Sequence, residues 1–321
     1  MGDAVFQGGI APRPADRSRR VEIELGPAGG PRGHVFVCDR GPQDAPVVVL
    51  LHGLLVHHHE FARLIPRLER DFRVLAPDLP GCGSSDRPPP EEVDGYSLTW
   101  IASALARVLA SPELGLGPGR PVHILGHSLG GAVAAILTTI LSTRGTGPGE
   151  AAPSVASLTL VDSSCFTMPM PLEGRLALMP RVGPLVFTRL YRRVDLHRYF
   201  TRVFSRPELV DDEAVKVYWD QLTRAGGREA AYAMLLQLAD LDAMSARFCE
   251  IRCPSLVVWG ELDSLIPLAH GRRLAQLIPG ARLEVIEGCG HAPNEEAPAE
   301  LARLLREHVA GVGPRGLARG F

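Results

Sequence analysis

Apolar residues in this chain follow two rhythms. Short, largely unbroken apolar runs occur at Val47–Leu51, Phe72–Ala76, Val122–Leu125, Leu158–Val161, Leu256–Trp259 and Leu283–Ile286, each bounded by Gly, Pro or Asp. Runs of that length suit strands covered on both faces of a parallel sheet. Val21–Leu25 and His34–Asp39 flank the turn-rich PAGGPRG and predict an antiparallel hairpin at the start of the sheet. Between the runs, apolar residues return at the three- and four-residue spacing of a helix face. This holds over Glu60–Arg70, at Leu98, Ile101, Leu105, Val108 and Leu109, over Leu129–Leu141, over Leu268–Leu277, and at Leu301, Leu304 and Leu305. Strand and helix alternate, so the expected fold class is α/β, with a mostly parallel, doubly wound sheet of eight strands.

One interval breaks the alternation. The stretch from Cys165 to Phe248 is too long for a single crossover and carries several helical patterns, so it predicts an α-helical cap inserted into the core. The organisation that follows is a leader over 1–20, a core over 21–164 and 249–310, a cap over 165–248 and a tail over 311–321. The Gly/Pro-rich pieces Gly115–Arg120 and Gly145–Pro153 read as surface loops. Val122–Leu141 is apolar enough to resemble a membrane span, but Gly126, His127 and Ser128 divide it into a strand and a buried helix.

Composition narrows the class without naming it. At 321 residues, 45% hydrophobic and 22% charged, the chain can bury a sizeable core, and a formal net charge of −2 gives no global attraction to nucleic acid or membranes. Lys216 is the only lysine among 34 basic residues, which disfavours Schiff-base chemistry. Cys38, Cys82, Cys165, Cys249, Cys253 and Cys289 lack a C-x-x-C pair and read as reduced, mostly buried thiols. The first twenty residues have no apolar signal core, so a cytoplasmic location is expected.

The chemistry concentrates where strands end. Val122–Leu125 runs into Gly126-His127-Ser128-Leu129-Gly130, and a Gly/Ala-rich helix follows, which is the strand, sharp turn and helix that a G-x-S-x-G elbow requires. A serine hydroxyl is a weak nucleophile, so an imidazole must take its proton and a carboxylate must orient that imidazole. Leu256–Trp259 leads into a loop holding Asp263, and Leu283–Ile286 into one holding His291. Loops at the carboxyl ends of parallel strands share one edge, where Ser128, Asp263 and His291 can meet. Asp162, ending the Leu158 run, is an alternative acid, with Asp263 then only a helix cap.

Taken together, GHSLG, His52-Gly53, the DLPGCGSSD loop from Asp78 to Asp86, GELDSLIP around Asp263 and GHAPNEEAP from Gly290 to Pro298 make the chain resemble the α/β-hydrolase superfamily. The likeness covers about 45 to 310 apart from the cap, and lies with the capped serine-hydrolase branch of esterases and C–C hydrolases. It implies the α/β-hydrolase fold, an oxyanion hole built from the backbone N–H groups of Leu54 and Leu129, and no cofactor or metal. The serine at the elbow, where dehalogenases and epoxide hydrolases of this type use aspartate, implies an acyl-enzyme route. The expected activity is that of a serine esterase acting on a small-molecule, apolar acyl substrate: a carboxylic ester, or a related thioester or lactone. A C–C bond hydrolase of the ring-fission type uses the same residues, and a non-catalytic binding protein of the same fold is the reading from another class.

Other conspicuous residues have simpler readings. His123 and His127 beside the elbow read as packed or hydrogen-bonded, and His52 as orienting the oxyanion loop. Ser85 and Asp86 read as loop supports, Cys289 as packing, and His57-His58-His59 as pocket lining or surface rather than a metal site. From Arg175 to Arg206 eight arginines and one acid, Asp195, interleave with apolar residues. A solvated arginine face over an apolar lid is the favoured reading there; docking on an anionic membrane surface and attraction of an anionic substrate are the others.

Overall fold

The computed structural model describes residues 16–26, 32–117, 119–144, 152–167, 178–179 and 181–312. The expected leader up to residue 15, most of the PAGGPRG turn, most of the 145–153 loop, Arg175 and the tail beyond residue 312 lie outside the described residues.

All eight expected strands form one sheet. They are β1 (Arg19–Glu24), β2 (Arg32–Arg40), β3 (Val47–Leu51), β4 (Arg73–Pro77), β5 (Pro121–His127), β6 (Ser154–Val161), β7 (Ser255–Gly260) and β8 (Arg282–Ile286). Their order is β1-β2-β4-β3-β5-β6-β7-β8. β1 pairs antiparallel with β2, and β2 with β4, while every later pairing is parallel. β1 begins inside the expected leader because Arg17 and Arg19 both reach the buried Asp39 carboxylate, at 2.9 and 3.4 Å, and hold this segment against β2. The same carboxylate accepts two bonds from the buried Arg73, so the pair leaves neither charge unmatched.

Helices cover both faces. α1 (Ile65–Leu68) and α8 (Pro298–Gly311) pack on one; α2 (Leu98–Ala110), α3 (Leu129–Arg144) and α7 (Leu268–Leu277) pack on the other. β3 shows the period-two consequence: Val47, Val49 and Leu51 face the α2/α3 side, and Val48 and Leu50 the α8 side.

Two local expectations need correction. The continuous helix expected over Glu60–Arg70 is a 3-10 turn at His58–Phe61 followed by the four-residue α1. Pro66 lacks the N–H that would bond back to Ala62, so the two turns cannot join. β8 is not buried on both faces either, and Val285 is 40% exposed, because this strand closes the edge of the sheet.

Between β6 and β7 the chain makes a helical excursion. It runs through the turns Val182–Leu185 and Val186–Leu190, then α4 (Arg193–Val203), α5 (Asp212–Leu222) and α6 (Gly227–Gln237). Leu196, Phe200, Val203 and Phe204 of this insert pack with Val56 and Ala292 from the loops after β3 and β8. The insert therefore lies over the carboxyl edge of the sheet.

Candidate active site

β5 ends in a turn that only small residues permit. A Cβ on Gly126 would lie 2.2 Å from the Gly130 carbonyl oxygen, and one on Gly130 would lie 2.2 Å from that of Leu51. Between them Ser128 is held at φ +52°, a left-handed conformation that a non-glycine residue adopts at a cost. Its N–H donates to Val161 O at 3.0 Å and its carbonyl accepts from Ser164 N at 3.0 Å, so β6 clamps the turn. Gly126→Ala is expected to cost about 3 kcal/mol or more in urea unfolding, since the Gly130 backbone cannot yield without moving α3.

The three expected site residues come together. Ser128 Oγ lies 3.0 Å from His291 Nε2, and His291 Nδ1 lies 2.8 Å from Asp263 Oδ2. The other Asp263 oxygen accepts the Leu265 and Ile266 amides at 2.8 and 2.9 Å. Burial would raise the Asp263 pKa, but the charge and hydrogen bond of His291 outweigh it and hold the carboxyl below its ordinary value. His291 N donates to Val203 O at 2.9 Å, satisfying a carbonyl that the end of α4 leaves without a helical partner.

Asp162 sits in the same cluster but does not take the imidazole. It ends β6 at φ +41°, with Oδ1 accepting from Gly260 N at 2.9 Å. One of its oxygens lies within 4.8 Å of ligand atoms on both Asp263 and His291. Complete burial, reinforced by the adjacent Asp263 carboxylate, raises its pKa well above the ordinary carboxylate value and so favours its neutral form. Two carboxylates cannot both ionise at this separation in a dry site, and the one facing His291 keeps the charge.

The two expected oxyanion amides flank the serine. Leu129 opens α3, and first-turn N–H groups have no acceptor within their own helix. Leu54 shares with Ser128 a cavity of about 20 Å³, the room of roughly one water molecule. Tyr199, Phe200, Val203 and Phe204 of the insert close it from above. Leu55, next in the loop, holds φ +66°. Of the six non-glycine residues with positive φ among those described, Ser128 lines this cavity, Leu55 lies between its lining residues Leu54 and Val56, and Asp162 sits beside Asp263 and His291.

A second buried network supports this loop, and the sequence did not disclose it. Glu60 Oε1 accepts from Gly53 N at 3.2 Å, and Oε2 lies 3.2 Å from His127 Nδ1. His127 Nε2 lies 2.7 Å from the His291 carbonyl oxygen. Both His127 nitrogens face acceptors, which favours the doubly protonated ring. Burial disfavours that charge, but the Glu60 carboxylate and the His291 carbonyl raise the pKa above the ordinary histidine value. His52 is neutral by the same reasoning: Nε2 accepts from Leu79 N at 2.8 Å, so Nδ1 donates to Gly53 O at 2.9 Å. In sequence Glu60 only opens a helix-like pattern, and no local motif marks its reach to residue 127.

The remaining sequence landmarks are loop fastenings. Asp78 Oδ1 accepts from His58 N and lies 2.7 Å from His58 Nδ1, and Ser84 N donates to Oδ2 at 2.7 Å. Ser85 Oγ donates to Asp78 O and accepts from Phe36 N, and His34 N donates to Asp86. His123 Nδ1 lies 2.8 Å from Ser157 Oγ, and Cys289 is buried.

Glu295, partly buried at the cavity wall, has its pKa pushed up to about 8, first by desolvation and then by the Glu60 carboxylate. The folded chain keeps this proton up to about pH 8, whereas an unfolded one releases it near 4.3. The native state then binds more protons, so the stability present below pH 4.3 is lost as pH rises toward 8. Glu295→Gln is expected to flatten that decline, measured as urea midpoints at pH 5, 6.5 and 8.

The chain resembles known proteins over most of its length. The chain is 28% identical over 281 residues to the magnesium-chelatase 30 kDa subunit of Rhodobacter capsulatus, covering 86% of this chain and 91% of that protein. It is 29% identical over 271 residues to the pimeloyl-[acyl-carrier protein] methyl ester esterase of Aeromonas salmonicida (strain A449), covering 82% and 95%. An esterase structure from Thermogutta terrifontis superposes with a TM-score of 0.72 at 24% identity, over 92% of this chain and 99% of that one. The model of the alpha/beta hydrolase family matches residues 48–304, from inside β3 to inside α8, and spans the elbow and both partner loops. On that match, the chain belongs to the alpha/beta hydrolase family.

Proposed function

We propose that the chain is a serine hydrolase that cleaves carboxylic esters through an acyl-enzyme intermediate. The observation carrying this is the continuous path Ser128 Oγ–His291 Nε2 and His291 Nδ1–Asp263 Oδ2, at 3.0 and 2.8 Å in a buried site. His291 takes the Ser128 proton as Oγ attacks the ester carbonyl, and the developing oxyanion is held by the Leu54 and Leu129 amides. The C–O bond breaks as His291 returns that proton to the departing alkoxide. Water, deprotonated by His291, then attacks the acyl carbon and releases the acid and Ser128. Asp263 fixes the imidazole tautomer and stabilises its charged form.

The walls favour an apolar acyl group: Leu54, Val56, Phe200, Val203, Phe204 and Ala292 surround the serine. A fluorophosphonate probe mimics the tetrahedral step and should attach to Ser128, read by mass spectrometry of the tryptic peptide. A folded wild-type chain that takes up no probe would instead support the non-catalytic binding protein. Among nitrophenyl esters of graded length, chains long enough to touch Phe200 and Phe204 are expected to give the higher kcat/KM.

A further inference from the structure

The insert has an outer face that the proposed chemistry does not use. Nine large apolar side chains among the described residues are exposed, and six of them, Met179, Val182, Leu185, Val186, Leu190 and Val194, lie between positions 179 and 194. Across the turns Val182–Leu185 and Val186–Leu190 the outward residues are Val182, Leu185, Val186, Arg189 and Leu190, the spacing of one helix face. Phe187 turns the other way, stacked on Tyr191 at 5.3 Å between centroids. In α4 the buried residues are Leu196, Phe200 and Val203, while Arg193, Val194, Arg198 and Arg202 are exposed. The favoured sequence reading, a solvated arginine face over an apolar lid, is therefore incomplete. Apolar residues share the arginines' face, with Leu185 49% and Leu190 60% exposed.

The charge is equally one-sided. Residues 179–206 contain seven arginines and one acid, and that acid, Asp195, lies 3.7 Å from Arg192 and 3.6 Å from Arg198. The nearby acids Asp211, Asp212 and Glu213 sit at the start of α5, where they complement its positive end. Exposed apolar residues clustered this densely mark an interaction surface. Its arginines repel a second copy of the same face, and an apolar partner without negative charge would leave them unmatched. A surface both oily and negative satisfies both demands, and an anionic bilayer is one.

We infer that the Met179–Arg202 face docks on an anionic lipid bilayer. Leu185, Val186, Leu190 and Val194 enter the boundary between headgroups and acyl chains, and Arg189, Arg193, Arg198 and Arg202 meet lipid phosphates. The opposite side of α4 carries Tyr199, Phe200 and Val203 over Ser128, so docking brings the cavity beside membrane-borne acyl esters. The substrate class rests on the proposed hydrolase function; the docking does not. No helix among the described residues is long and apolar enough to cross a membrane.

The test is sedimentation of the full chain with phosphatidylcholine vesicles and with vesicles carrying about a third phosphatidylglycerol. Binding at least about tenfold tighter to the mixed vesicles is expected, weakening as salt rises. Arg189→Glu with Arg193→Glu should lose about tenfold or more, and Leu185→Asp with Leu190→Asp should lose binding at any salt, each with an unchanged circular-dichroism melt. Ser128→Ala should bind as the wild type does, which separates this result from any failure of the hydrolytic reading. Equal binding to both vesicles, no binding, binding indifferent to Leu185→Asp with Leu190→Asp, or a dimer that those changes dissociate would each overturn the inference.

Discussion

Ser128→Ala is expected to reduce kcat for a nitrophenyl ester by about four orders of magnitude or more, with KM little changed. The oxygen removed is the one bonded to His291 Nε2. Ser164 Oγ lies 3.5 Å from Ser128 Oγ, but the imidazole is aimed at Ser128. The substitution keeps a Cβ at the strained φ of +52° and deletes one atom, so the urea midpoint should move little. Residual turnover should come from the Leu54 and Leu129 amides, each worth on the order of 3 kcal/mol of transition-state stabilisation. Hydrolysis within tenfold of wild type would remove Ser128 from the reaction.

The second large effect separates two neighbouring acids. Asp263→Asn should lower kcat by about four orders of magnitude, because an amide can present N–H to His291 Nδ1 and leave the wrong tautomer facing Ser128. Asp162→Asn should cost less than about tenfold. Burial already favours the neutral form of Asp162, and an amide can keep both the acceptor for Gly260 N and a donor toward Asp263. Asp162→Ala removes both and leaves the Gly260 amide buried without a partner, so it should lose about 1–3 kcal/mol of stability that Asp162→Asn retains. If the two Asn variants fell equally, the charge would be shared between the acids.

Much of this architecture was legible from residues alone. Six strands announced themselves because each is a short apolar run stopped by Gly, Pro or Asp, as suits a parallel sheet, while β1 and β2 showed as the two arms flanking a turn-rich segment. Ser128, Asp263 and His291 each follow one of those runs, so knowing the strands placed them on one edge. What escaped depends on contacts between distant segments. Glu60 reaches His127 and Gly53 only because His58–Phe61 turns back over the β5 end, and a helix-like spacing gave no hint of that turn. The strain at Leu55 belongs to a loop shape with no periodicity. Likewise, spacing could show that the insert has two faces but not which apolar residues meet the core, since Phe187 and Leu190 look alike in sequence and end on opposite sides.

The hydrogen bond from His291 N to Val203 O has a mechanical corollary. The roof of the pocket and the backbone of the proposed proton carrier are tied together, and Ser205, bonded to Glu296 and Gly288, doubles the knot. A last turn of α4 that lifts must either snap these ties or drag the imidazole with it. Opening of the pocket roof and placement of the imidazole therefore draw on the same fastening.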